Sequence, residues 1–130
     1  MSTVSRASRP RSLWAAVSVN VALVLGFFWF GLRPAPLLLQ GANHRDKVWH
    51  FLGFGLLALS HVLLTRRLWP LRAPWAAAVL SMGWGILLEI AQAFVPSRSA
   101  DLLDAVADAA GACAAAWLVS SWGARRQRGS

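Results

Sequence analysis

With 130 residues, 57% hydrophobic and only 14% charged, eight Trp and a mean hydropathy of +0.50, the chain is too apolar for an ordinary soluble domain of its size. The formal net charge of +8 would suggest phosphate neutralisation in a soluble protein. Here the arginines bracket apolar segments as membrane anchors do, so no nucleic-acid partner is expected and the lipid bilayer is the first partner.

Residues 1–12 form a basic tail carrying Arg6, Arg9 and Arg11. Four apolar stretches follow, at 13–32, 48–64, 75–94 and 102–122, and residues 123–130 make a second basic tail. A spanning helix needs roughly 20 apolar residues, within a working range of about 17 to 25, which predicts an all-α membrane bundle of four transmembrane helices over 13–122. The first stretch exceeds a signal-peptide apolar core of about 7 to 15 residues and no clear Ala-x-Ala site follows it, so it is expected to remain as an anchor. The lone Cys113 lies in an Ala-rich run, permits no intrachain disulfide and is read as a small packing residue.

Orientation follows from the cations. The N-terminal tail, the 65–74 loop with Arg66, Arg67 and Arg72, and the C-terminal tail with Arg125, Arg126 and Arg128 carry nine between them. The opposite ends hold four: Arg33, Arg45, Lys47 and Arg98. Positive loops stay inside, which predicts both termini in the cytoplasm (N-in/C-in) of a multi-pass protein in the cell inner membrane. Trp14, Trp29, Trp49, Trp69, Trp75 and Trp122 fall near helix ends, where an amphipathic ring prefers the interface, whereas Trp84 and Trp117 lie deeper.

On that orientation the informative polar residues converge on the outer face. Asp46, Lys47 and His50 open the second helix, Glu89 and Gln92 close the third, Arg98 sits in the 95–101 loop, and Asp101, Asp104 and Asp108 open the fourth. The i,i+3 and i,i+4 spacings within each set place its members along one helix face. Gly85, Gly111 and Ala115 continue these faces with small residues of the kind that let membrane helices approach closely. Asp46 and Asp101 read alone as first-turn caps or surface pairs. Glu89 and Asp108 do not, because a centred Asp costs about 2.5 to 3.5 kcal/mol and Asp108 lies roughly 10 Å along its helix. Five acids face at most four cations, one of them a His, so either some carboxyls are protonated or a cation or cationic group completes the cluster, the protonation of Glu89 and Asp108 being left open by the sequence.

The ligand-binding candidates are therefore Asp46, Lys47, His50, Glu89, Gln92, Arg98, Asp104 and Asp108, and the catalytic candidates are His50, Glu89 and Asp104. No metal or cofactor is expected, since no motif of diagnostic spacing surrounds His50. His61 is expected at the cytoplasmic interface, and a bis-His haem is disfavoured because both span histidines share one helix.

Three motifs carry a resemblance. The run Asp46-Lys47-Val48-Trp49-His50-Phe51-Leu52-Gly53-Phe54, then Glu89-Ile90-Ala91-Gln92-Ala93-Phe94-Val95-Pro96-Ser97-Arg98, then Asp104, Asp108 and Gly111, resembles the VanZ-like family. That family shows Asp-Lys-x-x-His-Phe, Glu-x-x-Gln leading to Pro and Arg, and Asp-x-x-x-Asn-x-x-Gly, in this order. Asp108 departs from the pattern, standing where the family usually has Asn. The resemblance implies a small bacterial integral membrane protein. The family's name comes from a glycopeptide-resistance protein, and that role is not carried over to this chain.

The leading functional expectation is a non-enzymatic envelope protein that binds or shields an exported lipid-linked or cell-wall ligand. Arg98 and Lys47 would contact its anionic groups, and Glu89 and Asp104 would orient those cations. The rivals are an outer-leaflet hydrolase or transferase, with Glu89 or Asp104 as base and His50 as acid but no nucleophile motif, and a purely structural polar latch. An ion or proton pathway is disfavoured, because the cytoplasmic half lacks matching acids.

Overall fold

Hydrocarbon admits only segments whose backbone groups are satisfied internally, so an apolar chain of this kind is expected to be helical throughout. The computed structural model describes residues 9–33, 44–96, 98 and 100–128, by backbone alone at residues 9–12, 44, 126 and 127. Arg6 and the side chains of Arg9, Arg11 and Arg126, expected in the basic tails, lie outside the described residues. Among the described residues there are four helices and no strand: α1 (Arg9–Gly31), α2 (His44–Leu68), α3 (Ala73–Gln92) and α4 (Leu102–Arg128). All four are long and apolar enough to cross a membrane.

The helix ends differ from the hydropathy reading for identifiable reasons. α2 begins at His44 and ends at Leu68, beyond the expected 48–64 on both sides. Asp46 in its first turn and Arg66 and Arg67 in its last complement the helix dipole, so the helix continues where its apolar stretch stops. α3 starts at Ala73 with Pro74 in its first turn, where a missing N–H costs nothing. It stops at Gln92, two residues short of the expected end, as the chain turns towards Pro96. α4 runs past Trp122 to Arg128.

α2, α3 and α4 pack mutually, and α1 lies against α2 and α3 from outside, with 11% of its apolar window buried against 33–39% for the others. The tight side of the bundle is built from small residues. Ala58, Ala78, Ala112, Ala115 and Ala116 form one core cluster. A Cβ on Gly111 would collide with the Phe51 carbonyl oxygen, and one on Gly55 would stand 3.3 Å from the Gly111 carbonyl oxygen. α2 and α4 therefore meet backbone to backbone, as small residues allow in membrane helices. Phe54, Leu57 and Leu88 form the second cluster, against which Phe27 and Phe28 of α1 pack.

Polarity is distributed inside out. Asn20, Ser60, His61, Thr65, Ser81, Glu89, Gln92, Asp104 and Asp108 are buried, while large apolar side chains such as Leu25, Leu63, Val79, Ile90 and Leu118 are exposed along the helices. An apolar surface of this extent is stable against lipid rather than water. Trp14, Trp29, Trp49, Trp69, Trp75 and Trp122 are exposed near helix ends, as expected of interface anchors. Trp84 packs edge-on against Phe28, and Trp117 faces outward.

His61 corrects its expected position at the interface. It is 2% exposed, with Nδ1 2.8 Å from Ser81 Oγ, and the Ser81 hydroxyl donates to the Ala77 carbonyl. With that hydroxyl proton committed, the imidazole N–H is the donor between the two side chains. Asn20 donates to the carbonyls of Ala16 and Ser60, and Thr65 donates to that of Ala73. Together these bonds tie α1 to α2 and α2 to α3 away from the acidic cluster.

Candidate functional site

The antiparallel run of the chain brings the start of α2, the end of α3 and the start of α4 to one end of the bundle, and the Lys47, Asp101 and Glu89 contacts join them there. Asp101 is the junction. Its Oδ1 accepts the Leu103 N–H at 2.8 Å, which is the side-chain cap of α4. Its Oδ2 accepts from Lys47 Nζ at 2.7 Å, and its own N–H donates to Glu89 Oε2 at 2.8 Å. One residue thus joins three helices. Lys47 also donates to Asp104 Oδ1 at 2.8 Å, so this ammonium bridges two acids at the head of α4. Asp101 lies outside the spanning segments, and the Lys47 ammonium, followed by the Leu103 N–H, holds its carboxyl below the usual aspartate range.

One turn deeper, His50 Nδ1 lies 2.8 Å from Asp108 Oδ1, and its Nε2 lies 4.0 Å from Asp104 Oδ2. The ring stacks on Phe54 with centroids 6.3 Å apart, which fixes its plane. Asp108 is 1% exposed and sits against Gly85, where a Cβ would stand 2.6 Å from Asp108 Oδ2. Gly85 therefore makes room for the carboxylate. Glu89 Oε1 and Asp108 Oδ2 are buried oxygens with no hydrogen-bond partner. Among the described residues, two groups of side chains have the spacing to hold a metal ion, Asp46 with His50 and Asp104, and His50 with Glu89 and Asp108.

Gln92 and Arg98 do not join the ion pairs. Gln92 Nε2 donates to the Gly31 carbonyl at 3.0 Å, and Arg98 Nε donates to the Arg33 carbonyl at 3.1 Å. Both hold the end of α1. Glu89 therefore orients the head of α4 through the Asp101 amide rather than orienting Arg98, whereas Asp104 does engage Lys47 as expected. Asp46 is exposed at the rim. Asp101, absent from the expected ligand set, is the most connected residue of the observed cluster. Its signal in the sequence was an acid directly before an apolar run, which reads as a cap and says nothing of Lys47 or Glu89.

Beside the cluster, a cavity of about 650 Å³ opens between α1 and α2. Phe27 and Phe30 of α1, Leu52 and Leu56 of α2 and Leu88 of α3 form its apolar wall, and Asp46, His50, Gln92 and Arg98 form its polar end. The VanZ/LLP1 family profile matches residues 5–123. The chain belongs to the VanZ/LLP1 family. The match takes in α1, α2, α3 and α4 as far as residue 123, so the cluster and the cavity both lie within the VanZ/LLP1 domain. Neither the curated proteins nor the solved structures provide a match to the chain.

Proposed function

We propose that this VanZ/LLP1 membrane protein binds an anionic lipid or lipid-linked envelope ligand, non-covalently, from the extracytoplasmic leaflet of the inner membrane. The observation that carries the reading is the cavity between α1 and α2, apolar along its length and polar at one end, a shape suited to an acyl or prenyl chain with a charged head. Arg98 is the cation in its lining and would contact the anionic group, aided by Gln92 and His50. Lys47, engaged by Asp101 and Asp104, would hold the helices together instead of touching the ligand. The sparse packing of α1 supports lateral access from lipid. The bias of nine cations against four supports an orientation in which the polar end would face outward.

The test is extraction of the full chain into native nanodiscs, followed by mass spectrometry of the lipids that co-purify. Wild type should enrich an anionic lipid species roughly tenfold over Arg98→Ala, the loss expected for one charged hydrogen bond. Arg98→Lys should retain part of the enrichment. Indistinguishable lipid profiles for wild type and Arg98→Ala overturn the reading.

A further inference from the structure

We infer that His50, Glu89 and Asp108 form a binding site for a first-row divalent metal ion in the interior of the bundle. Their ligand atoms, one imidazole nitrogen and two carboxylate oxygens, all lie within 4.8 Å of one another, and the residues come from α2, α3 and α4 respectively. Metal–oxygen and metal–nitrogen bonds near 2.0–2.2 Å span ligand pairs of up to about 4 Å, so small side-chain rotations close the site.

A second, independent observation points to a ligand. Glu89 and Asp108 are 7% and 1% exposed, and Glu89 Oε1 and Asp108 Oδ2 have no hydrogen-bond partner. A buried carboxylate oxygen left unpaired is costly, and neighbouring unpaired carboxylates are more so. The ammonium that reaches the cluster, Lys47, is bound to Asp101 and Asp104, and Arg98 Nε is directed to the Arg33 carbonyl. A divalent cation satisfies both oxygens and balances both charges.

The other candidate trio, Asp46 with His50 and Asp104, fits less well. Asp46 is exposed, and Asp104 Oδ1 already accepts from Lys47. The donor set names the class of ion. One imidazole with two carboxylates and no thiolate suits Zn²⁺ or Mn²⁺ over Cu⁺, and a neutral His50 is required to ligate. The site depends neither on the ligand proposed above nor on membrane orientation.

The full chain, purified in detergent with a tag free of histidine, is stripped with chelator, dialysed against Zn²⁺ or Mn²⁺, washed, and analysed by mass spectrometry for bound metal. Wild type is expected to retain near-stoichiometric metal. Glu89→Gln and His50→Ala should each bind at least roughly tenfold more weakly, as loss of a ligand costs no less than loss of an outer-shell partner. Asp46→Asn should bind like wild type. Wild type retaining no more metal than Glu89→Gln overturns the inference and assigns the unpaired oxygens to protonated carboxyls. Loss in Asp46→Asn with retention in Glu89→Gln overturns it in favour of the rim trio. Should the buried variants fail to fold, Co²⁺ loading of wild type and Asp46→Asn decides: a visible ligand-field spectrum abolished by excess Zn²⁺ and kept in Asp46→Asn supports the site, and a spectrum matching free Co²⁺, or one lost in Asp46→Asn, overturns it.

Discussion

Asp101 combines a helix cap, an ion pair and a backbone contact in a residue that sequence patterning reads only as a cap. Its carboxyl is held below the ordinary aspartate range by Lys47 and the Leu103 amide, which fixes the sign of a pH effect. A depressed folded-state pKa contributes stability that is fully present above the unfolded value near 4 and is lost as pH falls through the folded value. The thermal midpoint in detergent should therefore be flat from neutral pH to about pH 5 and decline below about pH 4. Asp101→Asn keeps a good cap but gives up the charge facing Lys47, so it should lower the neutral plateau and flatten the acid limb. An acid limb identical to wild type would show that Asp101 does not couple α4 to α2. His61 teaches the complementary lesson: a histidine near a helix end reads as an interface residue, and only the position of Ser81 on the facing helix shows that it is buried.

At the scale of elements, the contact between α2 and α4 is the most sensitive joint. Gly111→Ala places a methyl group on the Phe51 carbonyl, a backbone atom that yields only if the helices separate. The loss should be about 2 kcal/mol or more, read as unfolding in graded denaturing detergent, because overpacking without side-chain relief costs about 1–3 kcal/mol. Gly26→Ala, with nothing within 4 Å of the added carbon, is the matched control and should be neutral to mildly stabilising. The four helices were legible in the sequence because each carries a long apolar run, and the Gly85 and Gly111 faces were legible from their spacing with Glu89 and Asp108. The charged extensions of α2 were not, since hydropathy follows the bilayer and a helix follows its hydrogen bonds. The partners of the acids were partly legible. Spacing put Lys47, His50, Asp104 and Asp108 on usable faces, but the Gln92 and Arg98 bonds to carbonyls at the end of α1 depend on where that helix docks, which no local pattern encodes.

Across the whole molecule, the two ends of the bundle differ in kind. The end with Lys47, Glu89 and Asp101 holds paired charges and the polar mouth of the cavity, and the opposite end holds Arg66, Arg67, Arg72, Arg125 and Arg128 at helix termini and in the short 69–72 turn. Short loops rich in arginine resist translocation, so the proposed orientation turns the paired end outward. Single cysteines in a Cys113→Ser background test this in intact cells with a membrane-impermeant maleimide. Ala100→Cys, beside the α4 cap and exposed, should label without permeabilisation. Leu71→Cys, 98% exposed in the opposite turn, should label only after the membrane is opened. The reverse pattern would place the cavity mouth in the cytoplasm. The lipid captured there would then have to come from the inner leaflet, and an exported ligand would be ruled out even with the Arg98 contact intact.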